Sequence, residues 1–98
     1  EVHVDGVLID LTPTEFDILA FLARNAGLVV TQRMILEKVW GRQWAEDTQT
    51  LRVHVSNLRK KIELRPGGPR YIITEPGVGF RFADADDQAT RAGSATGS

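Results

Sequence analysis

The sequence predicts an α+β fold with a short antiparallel ribbon at its start, three helices in the middle and a β-hairpin near its end. Three observations support this prediction. Apolar residues alternate with polar ones near the N-terminus, three later stretches repeat apolar residues at helical spacing, and capping or turn residues bound these segments. Because 98 residues can bury only one modest hydrophobic core, we expect a single domain.

The N-terminal ribbon is predicted from residues 2–11, where apolar residues alternate on both sides of Asp5-Gly6. Asp-Gly is a dipeptide that favours a two-residue hairpin turn. Since the chain enters this pattern without an initiator methionine, we expect it to be a piece of a longer protein.

The first helix should begin at the TPTE motif of residues 12–15. This motif combines an N-cap threonine, a proline at the first helical position and a glutamate three residues after the cap. The helix body, residues 16–24, is apolar on nearly all sides, which predicts a helix enclosed between other layers. The Asn-Ala-Gly sequence at 25–27 should end it.

A second helix follows the short extended segment at 28–30, with Thr31 as its cap. It should end at the Trp-Gly pair of residues 40–41. Its apolar residues recur at helical spacing: Ile35, Leu36 and Val39.

Residues 42–47 form a predicted loop, after which Asp47 or Thr48 should cap the third helix. The Pro-Gly-Gly-Pro sequence at 66–69 prevents this helix from continuing. At about 100° per residue, one face collects the apolar side chains, which we expect to be buried. These are Leu51, Val55, Leu58 and Ile62.

The last predicted elements are two strands at 71–74 and 79–82. Between them, Pro76 and Gly77 occupy the central positions that a type II turn prefers. From Asp84 onward, small and acidic residues offer too little apolar surface to order the backbone. We therefore expect a folded domain at 1–83 and a disordered tail at 84–98.

Charge is concentrated in the third helix and the hairpin. Residues 48–82 carry seven Lys or Arg against two acids, whereas the whole chain sums to −1. A basic helix beside a basic hairpin is suited to binding duplex DNA.

The polar face of the third helix carries side chains that could recognise bases. Gln49 and Asn57 could pair with adenine, and Val53 could pack on a thymine methyl group. Arg and Lys beside them would neutralise phosphates. The alternative is an ordinary solvated helix face with one stray valine, and the Gly, Pro and aromatic residues of the hairpin could likewise be purely structural.

An enzyme is not predicted, because no set of residues assembles a catalytic site. The two histidines lie in separate elements, there is no cysteine, and no glycine-rich phosphate loop follows a strand. Glu15 and Asp17 are explained by the capping box and by the helix N-terminus. We expect no cofactor and no metal site. No apolar run approaches the ~20 residues that span a bilayer, so a cytoplasmic location is the default.

In combination, four segments resemble the winged-helix DNA-binding domain of OmpR/PhoB-family response regulators. They are LTPTEFDILAFLARNAG at 11–27, VVTQRMILEKVWG at 29–41, TLRVHVSNLRKKIE at 50–63 and ITEPGVGFRF at 73–82. The resemblance covers residues 1–83 and implies a winged helix-turn-helix fold. In that fold the third helix is the recognition helix and the hairpin is the wing. The segment from Pro69 to Phe82 looks most like the potassium-responsive KdpE branch.

The resemblance also implies partners. Family members bind promoter DNA as head-to-tail homodimers on direct repeats, and a sensor kinase activates them through phosphorylation of an upstream receiver domain. This chain would then place residues 48–63 in the major groove and 71–82 at the flanking minor groove. The competing hypothesis is a winged helix that docks a protein instead of DNA, which the near-neutral total charge favours slightly.

Site residues follow from the resemblance together with the helical periodicity. The base-contacting positions are Gln49, Val53, Ser56 and Asn57. The phosphate-contacting positions are Trp40, Thr50, Arg52, His54, Arg59, Lys60, Thr74 and Arg81. Well-studied members often carry arginine in place of Ser56 and Asn57, and a basic wing residue in place of Pro76, so we expect a different base preference.

The loop between the second and third helices corresponds to one that can contact RNA polymerase in family members. Its candidate contacts here are Arg42, Gln43 and Trp44. Trp44 would be the anchor of such a contact, and the alternative is that its indole simply covers the core.

Overall fold

A computed structural model describes residues 2–4, 6–64 and 67–84, and within them the α+β prediction is confirmed. The predicted loop at 42–47 contains a short 3₁₀ turn, Arg42–Trp44, and the first hairpin strand is displaced by one residue. The predicted disorder of the C-terminal tail concerns positions that, apart from Asp84, lie outside the described residues. The elements are β1 (Val2–Val4), β2 (Val7–Ile9), α1 (Pro13–Arg24), β3 (Val29–Thr31), α2 (Gln32–Val39), α3 (Thr48–Ile62), β4 (Ile72–Glu75) and β5 (Gly79–Phe82).

The strands form two antiparallel sheets. β1 and β2 make the predicted ribbon, with Val2 opposite Ile9. The second sheet has the order β3-β5-β4, so the segment between the first two helices joins the hairpin as a third strand. The sequence predicts that segment only as extended, because Val30 and Phe80 are separated by about half of the chain and their pairing leaves no local pattern in the sequence.

Gly79 is required where β5 lies between its two neighbours. It faces Thr31 of β3 and Glu75 of β4. A Cβ atom at this position would overlap the carbonyl oxygen of Val30. The wing turn ahead of it has Gly77 at φ +75°, and Val78 N–H donates to the Glu75 carbonyl at 3.0 Å, as a type II turn requires.

The predicted helix caps are present. Thr12 Oγ1 accepts from Glu15 N–H at 3.1 Å, and Glu15 Oε1 accepts from Thr12 N–H at 2.9 Å, which completes the capping box. Thr31 Oγ1 accepts from Met34 N–H. For the third helix the cap is Asp47, whose carboxylate accepts from Thr50 N–H at 3.3 Å.

The core lies between the three helices and the inner face of the three-stranded sheet. The four apolar residues of α3 are at most 2% exposed, which confirms the predicted buried face. Burial of each such side chain contributes roughly 2 kcal/mol. The core residues from the other elements are Val4, Ile18, Leu22, Val30, Ile35, Leu36, Ile72 and Phe80.

The prediction that α1 is enclosed on nearly all sides is wrong. Phe16 is 45% exposed, because only the side of α1 that carries Ile18 and Leu22 faces the other helices. Phe16 instead lines an open groove with Leu8 and Leu11, beside the N-terminal ribbon.

Glu15 joins the start of α1 to the end of α3. Lys61 Nζ lies 2.6 Å from Glu15 Oε1, and the Glu15 side chain is only 5% exposed. Burial by itself raises the pKa of Glu15. The hydrogen bonds from Lys61 and Thr12, together with the charge of Lys61, outweigh that effect, so the pKa is lowered below its ordinary value.

Glu15→Gln should lower the free energy of unfolding at pH 7 by roughly 1–3 kcal/mol, because a buried charged hydrogen bond is lost. A lowered pKa in the folded state stabilises the fold above the ordinary value of 4.5 and loses that effect as the pH falls through the folded-state pKa. The difference in the free energy of unfolding between the wild type and Glu15→Gln should therefore shrink in strongly acidic buffer. Urea unfolding across pH measures it, with Asp17→Asn on the same helix as the exposed control. A difference that stays constant with pH contradicts this account.

Candidate nucleic-acid interface

The outward face of α3 presents the side chains that were predicted to contact bases. Because the apolar residues point into the core, the opposite side of the helix is turned to solvent. Val53 is 48% exposed, so it is an apolar side chain held in solvent among polar neighbours. The exposed residues of this face are Gln49, Val53, Ser56, Asn57 and Lys60.

Three predicted phosphate contacts lie together near the start of α3. The rings of Trp40 and His54 meet edge to face with centroids 5.2 Å apart. His54 Nδ1 lies 2.9 Å from the Thr50 carbonyl oxygen, so Nδ1 carries the hydrogen and Nε2 is left outside this bond. The Thr50 hydroxyl already donates to Asp47 at 2.7 Å, which leaves it an acceptor. Donation from Thr50 to a phosphate would require this bond to break.

A cleft of about 480 Å³ separates α3 from the hairpin. Arg52 and Lys60 line it from the helix and are exposed. Within residues 2–4, 6–64 and 67–84, neither side chain makes a hydrogen bond or an ion pair. The wall on the hairpin side includes Thr74, Pro76 and Gly77 together with Glu75, whose carboxylate is bonded to Arg81. The cleft therefore has two cations available for a ligand.

Arg59 is held within the protein, unlike Arg52 and Lys60. Its Nε and Nη2 donate to the Ile72 carbonyl oxygen at 3.2 and 2.9 Å, and Nη2 also donates to Thr74 Oγ1 at 2.6 Å. The guanidinium lies 5.6 Å from the centre of the Phe80 ring. Burial lowers the pKa of Arg59, Glu63 opposes that shift and Arg70 adds to it. Two residues predicted as phosphate contacts are thus bonded to each other.

Arg81 does not join the α3 surface. Phe80 and Phe82 point to the inner face of the sheet, so Arg81 between them projects from the outer face. Its Nε lies 3.0 Å from Glu75 Oε2, and its side chain is 19% exposed. One of the seven cations counted along the sequence is therefore paired with an acid on the far side of the hairpin.

Glu63 is a structural residue of this region, although in the sequence it counted only as an acidic charge. Its Oε2 accepts from the backbone N–H groups of Tyr71 and Ile72 at 2.9 and 3.0 Å. A carboxylate at the end of a helix opposes the helix dipole, so its position directly after a basic stretch was the available signal.

The residues of the predicted polymerase-contact loop, Arg42, Gln43 and Trp44, are all exposed. Trp44 is 45% exposed, so close to half of its surface is open to solvent. Ala45 is the buried residue of this loop. Arg33 of α2 bonds to Glu46 at 2.9 Å and to Glu37 at 2.9 Å, which connects the loop to α2.

In the described ranges no three His, Cys, Asp or Glu side chains cluster as metal ligands would. No helix among those ranges has the length and apolarity needed to cross a bilayer.

A family model described as "Transcriptional regulatory protein, C terminal" matches residues 6–82. The chain is similar to the KDP operon transcriptional regulatory protein KdpE of Escherichia coli, with 49% identity over 81 residues that cover 83% of this chain and 36% of that protein. The identity is in keeping with the KdpE-like features of the hairpin. The chain spans about a third of the length of the curated relatives it matches first.

Solved structures show the same relationship. Similarity to the response regulator DrrB, a Thermotoga maritima OmpR/PhoB homologue, has a TM-score of 0.67 and 43% identity, covering 81% of this chain and 36% of that one. Similarity to the DNA binding domain of CpxR from E. coli has a TM-score of 0.70 and 33% identity, covering 83% of this chain and 79% of that one.

Proposed function

The chain belongs to the C-terminal domains of OmpR/PhoB-type transcriptional regulatory proteins, and from this premise we propose that it binds duplex DNA and discriminates among base sequences. The observation that carries the proposal is the exposed face of α3, where polar side chains able to hydrogen-bond to bases lie beside two cations that have no partner among the described residues. Such a surface can both attach to phosphates and distinguish bases.

The proposed docking places α3 and its C-cap, residues 48–63, in the major groove. A helix of 15 residues is roughly 22 Å long, and the groove of B-DNA admits a helix. Asn57 would pair with adenine through its amide, and Val53 would contact a thymine methyl group. The hairpin, residues 71–82, would lie at the adjacent minor groove, with the DNA strand between the grooves running through the cleft.

The geometry supports some phosphate contacts better than others. Arg52 and Lys60 can turn toward a phosphate without breaking an internal bond. Arg59 would have to use Nη1, since its other donors are engaged. Arg81 is the weakest candidate, because it is paired on the outer face of the hairpin.

The role of the whole protein is proposed from the same family membership. We propose that a receiver domain precedes this domain in the intact protein and that a sensor kinase controls it by phosphorylation. The intact protein would act in the cytoplasm as a head-to-tail homodimer on promoter direct repeats. Exposed Trp44, with Arg42 and Gln43, would be its contact to RNA polymerase.

Selecting duplexes from a random DNA pool with this chain should return a preferred motif. Asn57→Ala should then relax the preference at one position, at a cost of roughly 1–3 kcal/mol for that base, because a bidentate contact is lost. The measurement is the ranking of a panel of single-base variants by affinity. Gln43→Ala, which removes an exposed amide outside α3, should leave the ranking unchanged. An unchanged ranking for Asn57→Ala would show that this residue does not contact a base.

Arg52→Ala should weaken binding to all duplexes alike and make the log-log dependence on salt shallower by about 0.9, the value for one lost phosphate contact on B-DNA. Titrations over a range of salt concentrations measure the slope. Arg24→Ala on α1 is the control for an equal change in net charge. If α3 docked a protein instead, as in the competing hypothesis, duplex binding would be weak at low salt and would not depend on Arg52.

A further inference from the structure

The hairpin meets α3 through the backbone of its edge strand. In the order β3-β5-β4, strand β4 pairs with β5 on one side only. At Ile72, side chains of α3 and its C-cap bond both ends of the residue: the C-cap Glu63 accepts from its N–H group, and Arg59 donates to its carbonyl oxygen. Exposed strand edges are otherwise sites of unwanted pairing, so these bonds also cover the edge of the sheet at this point.

We propose that Arg59 and Glu63 form a bracket that sets the position of the hairpin relative to α3, and that Arg59 acts in DNA binding as a positioning residue. The inference rests on the proposed function, because it concerns how the hairpin reaches the minor groove. It differs from the role predicted for Arg59 from the sequence, which was a phosphate contact.

The chemistry of the two side chains suits this role. Residues four apart lie on the same side of a helix, so Arg59 and Glu63 approach the strand together. The planar guanidinium offers donors in a fixed fork, and three of its five N–H groups are used on Ile72 and Thr74. Turning it to a phosphate would leave the Ile72 carbonyl and the Thr74 hydroxyl without this donor.

Glu63 separates a positioning role from an electrostatic one more clearly than Arg59 does. Its negative charge would repel DNA, and it lies at the helix end that disfavours a carboxylate. A contribution of Glu63 to DNA binding must therefore come from its two backbone hydrogen bonds and not from its charge. Electrostatics and positioning consequently predict opposite effects when this residue is removed.

A small rotation of the hairpin at the bracket would displace its turn appreciably. The turn at Pro76 lies four residues beyond Ile72, which in a strand is roughly 13 Å. A rotation of about 15° at the bracket would move the turn by roughly 3 Å, or about half the width of the minor groove. Loss of the bracket should therefore remove the contribution of the hairpin without unfolding the domain.

The experiment uses the duplex selected by the wild-type chain and a shortened duplex that lacks the base pairs at the wing end. For the wild type, shortening should weaken binding about tenfold, since several phosphates are lost. For Glu63→Ala, the ratio between the two duplexes should approach one, although the net charge has become more positive. Asp17→Ala makes the same change in charge on an exposed part of α1 and should keep the wild-type ratio.

Two further measurements separate positioning from charge and from misfolding. Arg59→Lys keeps the positive charge but lacks the forked donors of the guanidinium. The ratio of its affinities for the full and the shortened duplex should therefore also fall toward one. In the free protein, Glu63→Ala should speed amide exchange at Tyr71 and Ile72 by about tenfold while α1 keeps wild-type protection. Thr74→Val removes only one acceptor and serves as the mildest variant if either replacement fails to fold.

The outcomes are distinguishable. A wild-type chain that binds no duplex overturns the proposed function and this inference with it. A wild-type chain that binds the selected duplex but is indifferent to its wing end overturns the inference alone. So does a Glu63→Ala protein that binds both duplexes more tightly and keeps the wild-type ratio, because charge would then be the only role of this residue.

Discussion

The orientation of α3 depends on one constraint, the burial of Leu51, Val55, Leu58 and Ile62 against the other helices and the sheet. Rotation of the helix by even one residue position, about 100°, would bring polar side chains into the core and expose apolar ones. Because this cost is large, the opposite face is determined as firmly as the buried one. Gln49, Val53 and Asn57 are therefore presented to solvent as a consequence of packing, without any separate interaction to hold them outward.

The hairpin needs a second constraint, because a three-stranded sheet of short strands could pivot on the core. Phe80 and Ile72 supply buried apolar contacts that hold the hairpin against the core. Because the hydrophobic effect has no preferred direction, these contacts do not fix the orientation of the hairpin. Hydrogen bonds are directional, and those of Arg59 and Glu63 hold the hairpin at Ile72 and at the nearby Tyr71 and Thr74. The apolar core thus fixes α3, and the polar bracket connects the wing to it. The proposed docking across two grooves of DNA would require both.

Much of the fold could be predicted because its signals are local. Each of these signals involves residues that are only a few positions apart in the sequence. Examples are the capping box of α1, the Thr31 cap and the spacing of the buried α3 residues. Predictions were wrong or incomplete where distant residues decide. The exposure of Phe16 depends on which elements lie over α1. The pairing of β3 with β5 joins Val30 to Phe80, and the bond from Arg59 to Thr74 connects a helix to a strand. No periodicity encodes such contacts.

The same difference explains why counting charges misjudges a binding surface. Within the part of the chain described here, Lys61 is paired with Glu15, Arg81 with Glu75, and Arg59 is bonded to a backbone carbonyl, whereas Arg52 and Lys60 have no such partner. All five raise the sequence charge equally. A cation that already has a partner must lose that interaction before it can hold a phosphate, so its net contribution to binding is small. In the proposed complex the free cations would supply attraction to DNA, and the engaged ones would give the surface its shape.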